Sequence, residues 1–201
     1  MKSLTLLLLS FCLFSCYDNP AGKKIAIQTL GYFPKEFKDS VAAAIHHFYA
    51  VEVVELPTQK IPESFFINVK SPRYRADSII KMLNNEKPDT VAYVLALTAA
   101  DISVTKNKKP EAKYKDWGVF GYGYVGKPGC VVSSYRIKHA YKKVMLMRLQ
   151  KIALHEIGHN LGLPHCSSQN CFMRDAAESI KTIDKVEMNL CEKCKKKVAL
   201  F

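Results

Sequence analysis

Apolar and polar positions along the chain fall into short continuous runs and longer periodic ones. "KKIAIQTLG" is a nearly unbroken apolar run closed by Gly31, the pattern of a buried strand. In "PKEFKDSVAAAIHHFYA", Phe37, Val41, Ala44, Ile45 and Phe48 recur at helical spacing, with Pro34 where a first turn tolerates it. "VEVVELP" reads as a second strand, stopped by Pro57. Strand, helix, strand in that order implies a parallel pair joined by a crossover helix.

"TQKIPESFFINVKSPRYR" reads as a loop with two prolines, "ADSIIKMLNNEK" as a second helix, and "DTVAYVLALTAADIS" as containing a buried strand. The polar "VTKNKKPEAKYKDWG" reads as a loop. "VFGYGYVGKPG" sets Gly121, Gly123 and Gly126 among aromatics, and "CVVSSYRI" is another strand. One long helix is expected from about His139 to Leu161, with Val144, Met147, Leu154 (or Ile152), Ile157 and Leu161 facing inward. A last helix, about Glu178 to Met188, precedes the tail. The pattern predicts a single α/β (α+β) domain over residues 24–201, without repeats or low-complexity stretches.

Charge narrows the partners. The 201 residues carry 30 basic and 18 acidic side chains, a formal charge of +12. Only Arg73, Arg75, Arg136, Arg148 and Arg174 are arginines, and lysine is a poor bidentate reader of phosphate or bases. No nucleic-acid module or aromatic interleaving is visible, so nucleic acid is not an expected partner. The scattered lysines read as a solvated surface, with attraction to an anionic membrane or to acidic substrates as the alternatives.

The first residues stand apart. "MKSLTLLLLSFCLFSC" has a basic start at Lys2 and an apolar run to Phe14, too short to span a bilayer but suited to export. Leu13-Phe14-Ser15-Cys16 resembles the lipobox of bacterial lipoproteins, although Phe14 is bulky for its place. That resemblance implies a signal peptide over 1–15, lipidation of Cys16, a tether over 16–23 and an exported chain anchored in a bacterial cell envelope, at the inner or the outer membrane. A plain cleaved signal peptide with an incidental Cys16, or a cytoplasmic protein with the leader uncut, are the other readings.

The densest chemistry is "ALHEIGHNLGLPHC". His155 and His159 lie four apart on the expected helix, so both rings emerge on one face and can reach one zinc ion. Glu156, between them, is placed to take a proton from water and return it to a leaving amine. A helix that simply continued would carry the chain off. Gly162 can take a positive φ and turn it back, so that His165 becomes a third ligand and the fourth position stays open. His46, His47 and His139 read as ordinary surface or core histidines.

The string H-E-x-x-H-x-x-G-x-x-H is that of the metzincin metallopeptidases, which carry a methionine turn below the metal; Met173 in "CFMRD" stands in that region. With Cys166, Cys171, Cys191 and Cys194 added at their spacings, residues 155 to 194 resemble the archaemetzincin family. The resemblance implies a compact metzincin-like fold: a twisted mixed sheet with an edge strand over the cleft, a long active-site helix and a C-terminal zinc-braced segment. It implies zinc peptidase or aminopeptidase activity on peptide or protein substrates. It also implies two zinc ions, one catalytic and one structural on the four thiolates, with Met173 packed beneath the histidine rings. The Cys191-x-x-Cys194 gap suits zinc by itself, yet an exported chain could instead form two disulfides. Cys130 reads as a buried small hydrophobe. By position "VFGYGYVG" is the candidate edge strand, with Gly121 and Gly123 permitting close backbone approach; a hairpin that touches no substrate is the other reading. A monomer is expected. The rival from another class is a non-catalytic zinc-binding lipoprotein module, against which Glu156 speaks. Endopeptidase or aminopeptidase action is left open.

Overall fold

The structure, a computed structural model, describes residues 24–175 and 179–198. The leader, Cys16 and its tether, and the Glu178 start of the expected last helix lie outside them. Strand β1 (Ile25–Leu30) is buried along its whole length. It pairs in parallel with β2 (Val53–Gln59) on one side and β5 (Tyr93–Thr98) on the other. Next come β9 (Gly129–Ser133), parallel to β5, and β8 (Gly121–Gly123), antiparallel to β9, giving the order β2-β1-β5-β9-β8. The crossover expected between the first two strands is α1 (Lys35–Tyr49).

Both sheet faces are covered, as a parallel sheet requires. Ile25, Ile27, Leu95, Leu97, Cys130 and Val132 point into a core shared with α1 and the long helix α4 (Lys142–Asn160). Ala26, Leu30, Val94, Ala96 and Val131 point the other way, against α2 (Ala76–Glu86). Cys130 is fully buried in the first core, as expected of a small hydrophobe.

Several elements depart from the sequence reading. β2 runs through Pro57 to Gln59; it is the edge strand, where a missing N–H costs no ladder bond, and the register shifts beside it. The segments read as loops contribute three of the four strands of a second mixed sheet, β3-β4-β6-β7 (Phe66–Asn68, Pro72–Arg75, Ile102–Val104 and Trp117–Val119), and a one-turn helix α3 (Glu111–Tyr114) before β7. Strands of three or four residues are too short to show a period. Asp101 ties this sheet to the main one, accepting from Arg73 Nε at 2.9 Å and from Arg136 Nε and Nη2 at 2.6 and 2.7 Å.

In α4 the buried face includes Leu149, Ile152, Leu154 and Ile157, but Met147 is exposed and Arg148 is buried instead. The reason is a bidentate ion pair: Arg148 donates from Nε and Nη2 to Asp184, each at 2.7 Å, fastening α4 to α5 (Ile180–Lys185). The lysine-rich tail forms α6 (Glu192–Val198), whose one buried residue is Cys194. No helix among the described residues is long and apolar enough to cross a membrane.

Candidate metal centre

The last turn of α4 and its exit are fixed by the local sequence. Gly162 has φ +86°, the Gly162 N–H donates to His159 O and the Leu163 N–H to Gly158 O, each at 2.9 Å. This is the paired 6→1 and 5→2 closure that ends a helix on a left-handed glycine. The chain turns back, and the ring centroids of His155, His159 and His165 stand 4.6 to 5.3 Å apart. One ligand nitrogen from each lies within 4.8 Å of the others.

The donor set suits a zinc ion. Nδ1 of His155 lies 2.7 Å from Phe172 O, and Nδ1 of His159 lies 2.7 Å from Leu163 O. A carbonyl only accepts, so each Nδ1 carries the proton and each Nε2 keeps its lone pair for a metal. Burial, with the neighbouring His159, pushes the His155 pKa down to about 3, and burial also lowers that of His159, so both rings stay neutral. His165 is exposed, its Nδ1 3.7 Å from the Asp175 carboxylate.

Glu156 is 6% exposed, and burial raises its pKa well above the carboxylate range. Its carboxylate lies against the backbone of β8: a Cβ on Gly121 would stand 2.6 Å from Glu156 Oε1, and one on Gly123 would stand 3.2 Å from Oε2. The group that approaches these two glycines is therefore the acid of the site. β8 remains an edge of the main sheet, as the sequence reading expected. Beside it opens a cavity of about 480 Å³, lined among others by Tyr122, Lys151, His155, Glu156, His159 and His165.

Met173 is fully buried, and its Sδ and Cε lie against Gly158, the residue before His159. Gly158→Ala sets two effects in opposition. Alanine favours a helix interior over glycine by about 1 kcal/mol, but the new methyl would overlap the Met173 sulfur, and overpacking costs about 1–3 kcal/mol. We expect the steric term to win and the urea midpoint to fall. A midpoint at or above the parent's would mean that Met173 is not wedged there.

The four cysteines form a second cluster. Sulfurs of Cys166, Cys171, Cys191 and Cys194 lie within 4.8 Å of one another. Cys166 and Cys191 are 3.7 Å apart, close to the roughly 3.8 Å edge of a tetrahedron with about 2.3 Å metal–sulfur bonds. A disulfide would need about 2.05 Å, and the four sulfurs stand unbonded at metal-ligand spacing. The Cys194 backbone N–H and the neighbouring thiols draw the Cys191 pKa down to about 7, although burial opposes them. Lys193 and Lys195 to Lys197, on the same helix as Cys194, are turned to solvent.

Two residues beside the site went unread in the sequence. The Phe172 carbonyl orients His155, a backbone role that no side chain announces. Lys151, four residues before His155, is only 7% exposed and lines the cavity; helical spacing from His155 was the available clue.

An active helix turned back on a glycine, three converging imidazoles and a buried carboxylate in one cleft define a zinc metallopeptidase. The profile of peptidase family M54 matches residues 27–199, and the chain belongs to that family. It is similar to the archaemetzincin of Halobacterium salinarum (27% identity over 188 residues, 87% of this chain and 99% of the relative). The crystal structure of archaemetzincin from Archaeoglobus fulgidus complexed with malonate superposes with a TM-score of 0.72 at 29% identity, covering 87% of this chain and 99% of that one. The archaemetzincin of Methanopyrus kandleri shares the fold at a TM-score of 0.76 and 24% identity, over 92% and 97% of the two chains. The chain is thus a zinc-dependent hydrolase of peptide or protein substrates, and the reading as a non-catalytic zinc-binding module is not favoured.

Proposed function

We propose that His155, His159 and His165 hold the catalytic zinc and that Glu156 is the proton carrier. The observation that carries this is the convergence of three imidazoles, two with Nε2 left free by their Nδ1 partners, next to a carboxylate backed onto an edge strand. A zinc ion on these nitrogens supplies a Lewis acid that acidifies water and polarises a carbonyl. Glu156 accepts the proton of the attacking water on a carboxylate oxygen and delivers it to the nitrogen of the departing peptide. Burial favours its protonated form, which suits the second step, while the positive charge of a bound zinc would favour the ionised form that the first step needs. The open edge of β8 binds the substrate backbone in extended form through main-chain hydrogen bonds.

Cys166, Cys171, Cys191 and Cys194 hold a second, structural zinc, for a total of two per chain. Upstream, residues 1–15 are a signal peptide, Cys16 is lipidated, 16–23 form the tether, and the catalytic domain over 24–201 acts as a monomer in the bacterial envelope. Labelling with a clickable fatty acid tests the anchor: wild type should be labelled and Cys16→Ser should not, and label on both or on neither removes it.

Digestion of a quenched peptide library by the zinc-loaded protein, with a chelator control, tests the peptidase site. Chelator-sensitive cleavage is expected, and its position distinguishes endopeptidase from aminopeptidase action; no cleavage by zinc-loaded protein rejects the reading. Gly121→Ala probes the support of Glu156. The added methyl would meet Oε1 at 2.6 Å and Ile152 Cγ2 at 2.9 Å, displacing the carboxylate. Turnover should fall about tenfold or more, since a misplacement of about 1 Å can cost a hundredfold, at unchanged zinc content. Unchanged turnover would detach β8 from the mechanism.

A further inference from the structure

The cavity beside the metal centre has walls of Ile152, Phe172, Ile183 and Val186, yet a lysine is buried among them. Lys151 Nζ donates to Ile183 O at 3.0 Å and to Asp184 O at 3.4 Å, both backbone carbonyls near the end of α5. An ammonium has three donors, so one proton has no partner among the described residues. The nearest carboxylate on α5, Asp184, is committed to Arg148. The field of Asp184 reaches Lys151, but that carboxylate is shared with Arg148, and a carboxylate entering the cavity would give the ammonium a partner of its own. Lys151 and His155 are one helical turn apart, about 6 Å along the axis. Positions four apart share a helix face, and both residues line the same cavity, so a peptide held at the histidines passes beside Lys151. At the mouth, Lys106, Lys108 and Arg174 add positive charge, against Asp175; the Lys106 ammonium lies 4.6 Å over the Trp117 ring.

We propose that the cleft selects peptides bearing a carboxylate next to the scissile bond, and that Lys151 reads it. The inference rests on the cleft being the substrate site. The carboxylate comes from an Asp or Glu side chain or from a free chain terminus. Apolar walls hold the stem of such a side chain, the ammonium takes the charge, and Lys108 and Arg174 steer acidic peptides inward. If Lys151 only caps α5, its charge has no bearing on which peptide binds.

The test separates binding from chemistry. Zinc-loaded Glu156→Gln protein is titrated, by fluorescence anisotropy, with labelled alanine hexapeptides. Each is amidated and carries a single Glu or Gln walked along the positions. A second set has neutral side chains and either a free or an amidated C-terminus. At one position, or with the free terminus, the carboxylate should tighten binding about tenfold or more, as a charge-assisted hydrogen bond allows. In the Lys151→Gln, Glu156→Gln double variant, which keeps an N–H for the α5 carbonyls, the preference should shrink to under about twofold, while affinity for the neutral peptide stays within the same factor. Equal binding of Glu and Gln peptides and of both termini overturns the proposal. So does a preference that survives Lys151→Gln. If that variant does not fold, the profile of the Lys151 protein still decides on the carboxylate. Carboxylate discrimination in the Glu156→Gln protein beside a wild type that cleaves nothing would sink the peptidase site and with it the reference to a scissile bond, leaving Lys151 as the reader of a carboxylate ligand.

Discussion

Glu156→Gln should lower kcat/KM on any cleaved peptide by about 10²–10⁴-fold, the usual weight of a positioned acid–base group, while zinc content and thermal midpoint stay those of wild type. The substitution isolates chemistry from packing because of how the residue is held. The side chain lies against Gly121 and Gly123, where no other side chain would leave room for it, and glutamine has the shape of the protonated acid. Burial already favours the neutral form of this carboxyl, so the variant resembles a protonation state that the fold accommodates. What is lost is the capacity to accept a proton. Steady-state kinetics beside metal analysis on the same preparation reads both quantities. A variant within threefold of wild type would remove Glu156 from proton transfer. One that lost its zinc would make Glu156 a metal-site residue.

The parts legible from the sequence are those where one residue type at a fixed spacing has a single physical use. The histidines at 155, 159 and 165 with Gly162 are such a case: helical periodicity sets two rings on one face, and only glycine easily takes the φ of +86° that brings the third back. The buried strands β1, β5 and β9 and the helices α1 and α2 were visible for the same reason. Other features were hidden because their determinants are distant in the chain. Arg148 enters the core, and Met147 leaves it, because Asp184 waits 36 residues away. The second sheet assembles strands too short to show alternation. α6 reads as a basic tail because its single buried residue is a cysteine held by the cluster. Gly121 and Gly123 were recognised as places of close approach, but only the fold shows that the approaching group is Glu156.

Cys171→Ala should cost the protein more than one metal site. Phe172, next in the chain, donates its N–H to Asn189 O at 2.9 Å, just ahead of Cys191, and its carbonyl accepts from His155 Nδ1. Cys166 follows His165, and its N–H donates to Met173 O at 2.8 Å. One loop thus carries two cysteines, the methionine beneath the active helix, and the carbonyl that orients the first histidine. A structural zinc on the four thiols would lock that loop, and binding free energy at such a site is folding free energy. Removing one thiolate should lower the thermal midpoint. It should also weaken the catalytic zinc about 10–100-fold, the cost of losing a group that orients a ligand. Excess zinc should then restore turnover while leaving the midpoint low. On wild type kept free of reductant, the four thiols should react only after denaturation in chelator. If they fail to react even then, the cluster is two disulfides. If Cys171→Ala binds catalytic zinc as tightly as wild type, the loop does not couple the sites, and His155 owes its orientation to α4 alone.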